Sequence, residues 1–397
     1  MKTLYELDSR IMQERISFSK NILGPIFYEF CHLLHEEVNN NYNHDTDIIL
    51  YMARDGLRLR YLYQLYRQSN NLKCKLVEKD FYISRFCCAK SCLYTDFDYV
   101  FDFIMTTEHS SSFTEIFESI IKAQDLSQNF RDGCKQGELY IEKLKNRYQE
   151  SYWLKSYFLE HNIRLKKYLD DLLEGKQKII LVDSGGSGTT QGMLMRSFSQ
   201  YEWIGLYFYA KSRPKNNSNN AHLKHILGVS SDEIRHNKYP RSCIFSHSLL
   251  IEAVLKIDFP STEEYQYNEG KVMPINGIAS ESTIAPNLND KNPYFLGIIE
   301  YFKEQKQFDS NKIHNKANEA YKHLFRLIKF PRKSELSMMD CSTSDSPEVL
   351  KKSKELKSFQ AKRSLVKTSP WRSGQTTLEF PLPIARLIQL LKIWKPF

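Results

Sequence analysis

Residues Lys178–Gln191 read KIILVDSGGSGTTQ, and the order of residue types in that stretch decides the fold. A run of aliphatic residues, Ile179–Val182, reads as a strand and ends in one acid, Asp183. A loop of glycines and hydroxyls follows, and then Gln191–Phe198 takes up helical apolar spacing. Strand, acid, small-residue loop, helix is the order that builds a phosphate cup at a helix N-terminus with a carboxylate beside it. Gly185, Gly186 and Gly188 let backbone N–H groups approach an anion, while Ser184, Ser187, Thr189 and Thr190 add hydroxyl donors. Asp183 at the strand's carboxyl end is placed to hold sugar hydroxyls or a hydrated metal. A phosphorylated sugar fits this pairing better than a bare phosphate. A tight turn before a well-capped helix is the plainer account of the same residues.

Working outward, Asp47–Ala53 (DIILYMA) reads as a buried strand that turns through Arg54-Asp55-Gly56 into a helix over Leu57–Tyr66. Phe81–Ser84 reads as a strand ending at Arg85, and Trp203–Ala210 (WIGLYFYA) as another. Strands alternating with helices predict an α/β fold, a parallel sheet flanked by helices. In such a sheet the ligand-binding loops lie at the carboxyl ends of the strands. The loops at Arg54–Gly56, Ser84–Arg85 and Asp183–Thr190 are therefore expected to converge on one crevice. There Arg54 and Arg85 would meet phosphate, Gly56 would let the backbone come close, and Asp55 would lie near a bridging magnesium. Each has a bland alternative: a surface ion pair for either arginine, a helix N-cap for Asp55.

The expected organisation is a first part of the α/β core over 1–95 and a helical insertion or lid over 96–174. A second part of the core, over 175–260, would carry the glycine loop, and a C-terminal extension would occupy 261–397. Lys211–Asn220 reads as a polar loop and Ser334–Ser346 as a linker. A chain of 397 residues, 41% hydrophobic and 13% aromatic, buries a full core. No apolar run approaches a membrane span, and the start lacks the apolar core of a secretory signal, so a cytoplasmic location is expected. The eight cysteines form no C-x-x-C pair and read as reduced thiols. His32 with His35, and His222 with His225, could each share a helix face, but they match no metal signature.

The net charge of +9 is uneven. Lys351–Arg372 holds eight cations against Glu355 alone, and the rest is nearly neutral, so a nucleic-acid partner is not expected. The last helix, Ile384–Phe397, gathers Leu387, Leu390, Leu391 and Trp394 on one face with Arg386, Lys392 and Lys395 nearby. Docking of that face on the protein is the favoured expectation, and contact with an anionic membrane the other.

The stretch KIILVDSGGSGTTQGML followed by WIGLYFYA resembles the phosphoribosyl-diphosphate-binding motif of type I phosphoribosyltransferases. ARDG and YISR resemble that family's two pyrophosphate-contacting elements. More narrowly, these motifs, Leu250–Tyr265 and Trp371–Gly374 resemble phosphoribosyltransferases of bacterial polysaccharide gene clusters. The resemblance implies a type I phosphoribosyltransferase-like fold and a glycosyltransferase that moves 5-phosphoribose from phosphoribosyl diphosphate, with Mg2+, to a hydroxyl of a polysaccharide or lipid-linked glycan. A HAD-class phosphatase would act on the product, and the inner face of the membrane would be a natural location. Asp183, Asp55 and Glu252 are the candidate catalytic residues, with Asp55 and Asp183 also the candidate metal ligands. Glu252 lies in an apolar helical stretch, where its plainer role is to pair with a buried Arg or Lys. Two departures stand out: Ser184 occupies the place of the motif's second acid, and no D-x-D-x-T nucleophile motif is present. The first motivates an alternative, a non-catalytic phosphosugar-binding or assembly protein; the second counts against a phosphohydrolase.

Overall fold

The computed structural model describes residues 4–101, 120, 152–212, 223, 226–231, 234, 236–285, 292–306, 309–341, 349–351 and 358–393. The chain enters through α1 (Leu4–Phe18) and α2 (Gly24–Asn41), joined by a π-helical turn. It then builds β1 (Asp47–Met52), α3 (Asp55–Ser69), β2 (Val77–Phe81), α4 (Arg85–Cys92), α5 (Tyr152–Leu173), β3 (Lys178–Gly186), α6 (Thr189–Ser197), β4 (Glu202–Ala210) and β5 (Val229–Ser230). These strands form one parallel sheet in the order β2-β1-β3-β4-β5. The α/β class and the flanked parallel sheet are as the sequence predicts.

Alternation along the strands divides the core in two. Ile49, Tyr51, Ile180, Val182, Ile204, Leu206 and Phe208 face α2 and α3 on one side. Ile48, Leu50, Ile179, Leu181 and Trp203 face α4, α5 and α6 on the other. Both faces are dry, which is why β1 and the start of β3 read as unbroken apolar runs.

Downstream come α7 (Leu249–Leu255), the hairpin β6 (Tyr265–Asn268) and β7 (Lys271–Pro274), then α8 (Pro293–Glu304), α9 (Ser310–Lys329), α10 (Phe359–Thr368), α11 (Arg372–Glu379) and α12 (Leu382–Ile393). Helices α8 and α9 complete the layer over α2 and α3, with Phe295, Ile298, Phe302, Leu324 and Ile328 in the same core cluster. Trp371 is fully buried against His247 with rings 4.7 Å apart and nearly parallel, and its indole N–H donates to the Ile328 carbonyl at 2.9 Å. The C-terminal extension is thus continuous with the core.

Several expectations shift. The second strand lies at Val77–Phe81, upstream of the predicted Phe81–Ser84. As an edge strand it lacks an apolar run: Glu78 pairs with Arg67, Lys79 with Glu174 and Asp80 with Arg60. The end of the expected insertion or lid, α5, is a layer of the core that buries Leu154, Phe158, Leu165, Leu169 and Leu173. Residues 102–119 and 121–151 of that insertion lie outside the described residues. The start of the expected Ser334–Ser346 linker is helical and sends Leu336 and Met339 into the core, while 342–348 lie outside the described residues. So do 213–220 of the polar loop, His222, His225, Cys134 and 352–357 of the basic segment. His32 and His35 are half of a tyrosine network, bonded to Tyr66 and Tyr63, and the described cysteines are all free thiols.

Candidate functional site

The strand order reverses direction between β1 and β3: the chain passes from β1 outward to β2, and from β3 outward to β4 and β5. Diverging loops leave a crevice at the carboxyl ends of those two strands. A cleft of about 400 Å³ opens there. Its walls are Ala53–Asp55 after β1, Ser84 and Arg85 after β2, and Asp183–Gln191 at the end of β3 and the start of α6. Tyr207 and Tyr209 of β4, Glu252 and Lys256 of α7 and its end, and Ser261 close the rest. Every candidate residue except Gly56 meets in this one cleft.

The glycine loop is shaped by backbone needs. β3 continues through Gly185 and Gly186, which pair with Tyr209 and Ala210 although both have φ above +110°. At Gly185 a Cβ would fall 1.8 Å from the Tyr209 carbonyl oxygen, so no other residue fits there. Gly186 has the same left-handed φ with open space around it, on the cleft wall. Gly188, at φ 60°, precedes α6 and offers no side-chain cap, so the first turn, Thr189–Gln191, presents its N-terminal end to the cleft.

Three carboxylates share the space. Ser184 bridges two of them: its hydroxyl donates to Asp55 at 2.7 Å and its backbone N–H to Asp183 at 2.8 Å. Burial, then the Asp55 carboxylate, holds Asp183 well above the usual carboxylate range; Glu252 adds to this, while the Ser184 N–H and Arg85 oppose it. Burial also raises Asp55, against the Ser184 hydroxyl, Arg54 and Arg58. Desolvation by the cleft walls and repulsion from Asp55 push Glu252 up to about 7, with Arg85 opposing. Glu252 keeps water contact at the cleft mouth, which screens part of that shift. Glu252 lines the cleft within reach of the Arg85 charge, while Leu250, Ile251, Val254 and Leu255 form the buried face of the same helix.

Gly56 and Ser84 also serve the fold. Gly56 is buried in the first turn of α3, where a Cβ would sit 2.6 Å from the Val182 carbonyl oxygen, so its smallness serves helix-on-sheet packing. Ser84 lines the cleft, but its hydroxyl accepts from the Cys87 N–H as the N-cap of α4 and donates to the Thr262 carbonyl. Arg54 is half-buried and donates to the Phe259 carbonyl at 3.2 Å. The segment Phe259–Thr262 thereby ties the loops after β1 and β2 together. The Ala53–Arg54 peptide is cis.

Sequence reasoning gave no role to Tyr207, Tyr209, Gln191, Lys256 or Ser261. Tyr207 donates to Gln191 at 2.8 Å, and Gly205 leaves the room that Gln191 occupies. Burial and the nearby Glu252 raise the Tyr209 hydroxyl far above the usual phenol range. Their signal was available, since tyrosines at the carboxyl end of a parallel strand stand where ligands bind.

The donor chemistry suits magnesium. Asp55 and Asp183 offer hard oxygens in a space where negative charge is crowded, the setting a hard divalent cation relieves. Among the described residues no three His, Cys, Asp or Glu side chains converge as a complete metal cage. Magnesium commonly takes one or two carboxylates and completes its shell with water and substrate phosphate, so two carboxylates suffice. A scan against protein-family models finds no match for this chain, and no curated protein matches it.

Proposed function

We propose that this protein is a phosphoribosyltransferase-like glycosyltransferase, moving 5-phosphoribose from phosphoribosyl diphosphate to a glycan hydroxyl with inversion at the anomeric carbon. The observation that carries the reading is the meeting of the glycine cup, two arginines and three carboxylates in one cleft at the β1/β3 switch. The cup at Ser184–Thr190 would hold the 5-phosphate and so orient the ring. Asp183 would bind ribose hydroxyls. Arg54 and Arg85 would take the negative charge that grows on the departing diphosphate as the anomeric bond breaks. Asp55 and Asp183 would hold magnesium, which when bound neutralises phosphate charge. Glu252, lifted to about 7, suits the task of accepting the acceptor hydroxyl's proton at neutral pH. A separate HAD-class phosphatase would then leave a ribofuranose residue, and the acceptor would be a polysaccharide or lipid-linked glycan at the cytoplasmic side of the membrane.

Calorimetry with phosphoribosyl diphosphate, with and without magnesium, tests the donor site. Incubation with candidate acceptors should release pyrophosphate and add the mass of a phosphopentose. Absence of donor binding under both conditions would end the reading. One observation favours a binding-only protein instead: Ser184, at the place of the motif's second acid, commits its hydroxyl to Asp55. That protein would bind the donor and turn over none of the acceptors.

A further inference from the structure

The sequence favours docking of the terminal helix through its leucines, and the structure reverses the face. α12 docks through its small and polar edge. Ala385 and Ile388 pack with Val366 of α10 and with Phe380. Gln389 is buried and donates to the Ser373 carbonyl and the Thr377 hydroxyl, while Arg386 donates to the Pro331 carbonyl. The other side of the helix carries Ile384, Leu387, Leu390 and Leu391 at i, i+3, i+6 and i+7, with Leu382 in the turn before. These side chains are all exposed, Leu387 at 60% and Leu391 at 63%. Trp394 and Lys395 lie outside the described residues.

Charge identifies the occupant. α10 and α12 both pack on α11 and touch each other through Val366, Ala385 and Ile388. Together they carry Lys362, Arg363, Lys367, Arg386 and Lys392, and no acid. Arg386 is drawn to the docked side and Glu379 ends the adjoining α11, yet Lys362, Arg363, Lys367 and Lys392 leave the region in cationic excess. Exposed leucines beside such an excess are the pattern of a helix that lies in a lipid headgroup layer. A second copy of this chain would bring the same cations to the contact and be repelled by them. Among the described residues no helix is long and apolar enough to cross a membrane, so this helix would lie on the surface.

We propose that the α12 face, with the cations of α10, binds the surface of an anionic bilayer. This rests on a surface separate from the cleft, and vesicle binding needs no phosphosugar, so its failure leaves the donor reading untouched.

The full chain is floated with vesicles of phosphatidylcholine alone and of phosphatidylcholine with phosphatidylglycerol. Flotation is expected with the anionic vesicles, weaker with the neutral ones, and reduced by salt. Leu387→Glu with Leu391→Glu should cut partitioning about tenfold or more, with circular dichroism and thermal melting unchanged because both side chains are exposed. Arg363→Gln with Lys367→Gln should weaken binding to anionic vesicles only, and gives a second reading if the leucine variant folds poorly. Failure of the unaltered protein to float, or flotation of both variants at its level, overturns the proposal. A dimer in sedimentation that the leucine variant dissociates, without vesicle binding, assigns the face to a second copy and overturns it too.

Discussion

Asp183 is held under two opposed demands. Burial beside Asp55 and Glu252 disfavours its charge, yet the proposed contact with ribose hydroxyls and magnesium needs that charge. A residue kept at a cost in stability is expected to show a trade-off. Asp183→Asn, which can still accept from the Ser184 N–H, should lower transfer by about 10²–10³ while leaving the melting temperature equal or higher. Arg54→Ala should lose transfer similarly. Turnover assays beside thermal melts decide both, and retained transfer in both variants would mean that the chemistry lies elsewhere. Glu252 gives a pH signature. Its folded-state pKa of about 7 exceeds the ordinary 4.5, so the folded protein binds more protons than the unfolded chain between those values. Its contribution is thus fully present below about pH 4.5 and is lost as the pH rises through about 7. In magnesium-free protein Glu252→Gln should melt higher than the unaltered chain above pH 7, and the gap should close in acid. A gap that widens in acid would refute the carboxylate crowding.

At the scale of elements, the strand–acid–glycine–helix order was legible because each step has a local cause: apolar residues for a doubly buried strand, glycines for positive φ. The glycines' division of labour was not legible, since it depends on where β4 passes. Gly185 has the Tyr209 carbonyl against it and Gly186 has open space, at nearly the same φ. Gly185→Ala should therefore destabilise by about 2–4 kcal/mol and Gly186→Ala by about 1–2 kcal/mol. Urea denaturation of the pair measures the difference, and equal losses would mean that strain alone governs the loop. The hidden elements fail for equally physical reasons. β2 is an edge strand of charged residues, and the β6–β7 hairpin turns through Glu269 and Gly270, both at positive φ, with no apolar run on either side. Ser84 shows the same limit: sequence places it after a strand but cannot see the Cys87 N–H and Thr262 carbonyl that claim its hydroxyl. Ser84→Ala should cost about 1 kcal/mol of stability and leave donor affinity within about threefold, by denaturation and calorimetry. A far larger loss of affinity would return Ser84 to the binding residues.

Across the whole molecule, what the sequence could not convey was closure at long range. Three loops spread over more than a hundred residues, from Arg54 to Thr190, were expected to meet because in a parallel sheet they lie at the same end. The fourth wall, Glu252 to Ser261, is held by something no local pattern reveals. Just upstream of α7, His247 is buried, bonds the Met339 carbonyl at 2.9 Å and lies flat on Trp371. Trp371 in turn bonds Ile328 at the end of α9 and is pressed by Gly374, where a Cβ would come within 2.3 Å of the indole. The C-terminal extension thus clamps the root of the helix that brings Glu252 and Lys256 to the cleft. Trp371→Ala should cost about 3–5 kcal/mol of stability through the cavity it leaves. A purely global loss would leave donor affinity intact at temperatures where the variant is still folded. A clamp on α7 predicts more: weaker donor binding there, and faster amide exchange over Leu249–Lys256 than in β1 or β3. Trp371→Phe, which refills most of the cavity and loses only the bond to Ile328, should recover most of both. Donor affinity equal to that of the unaltered chain in folded Trp371→Ala would separate the extension from the site and leave it a support for the core alone.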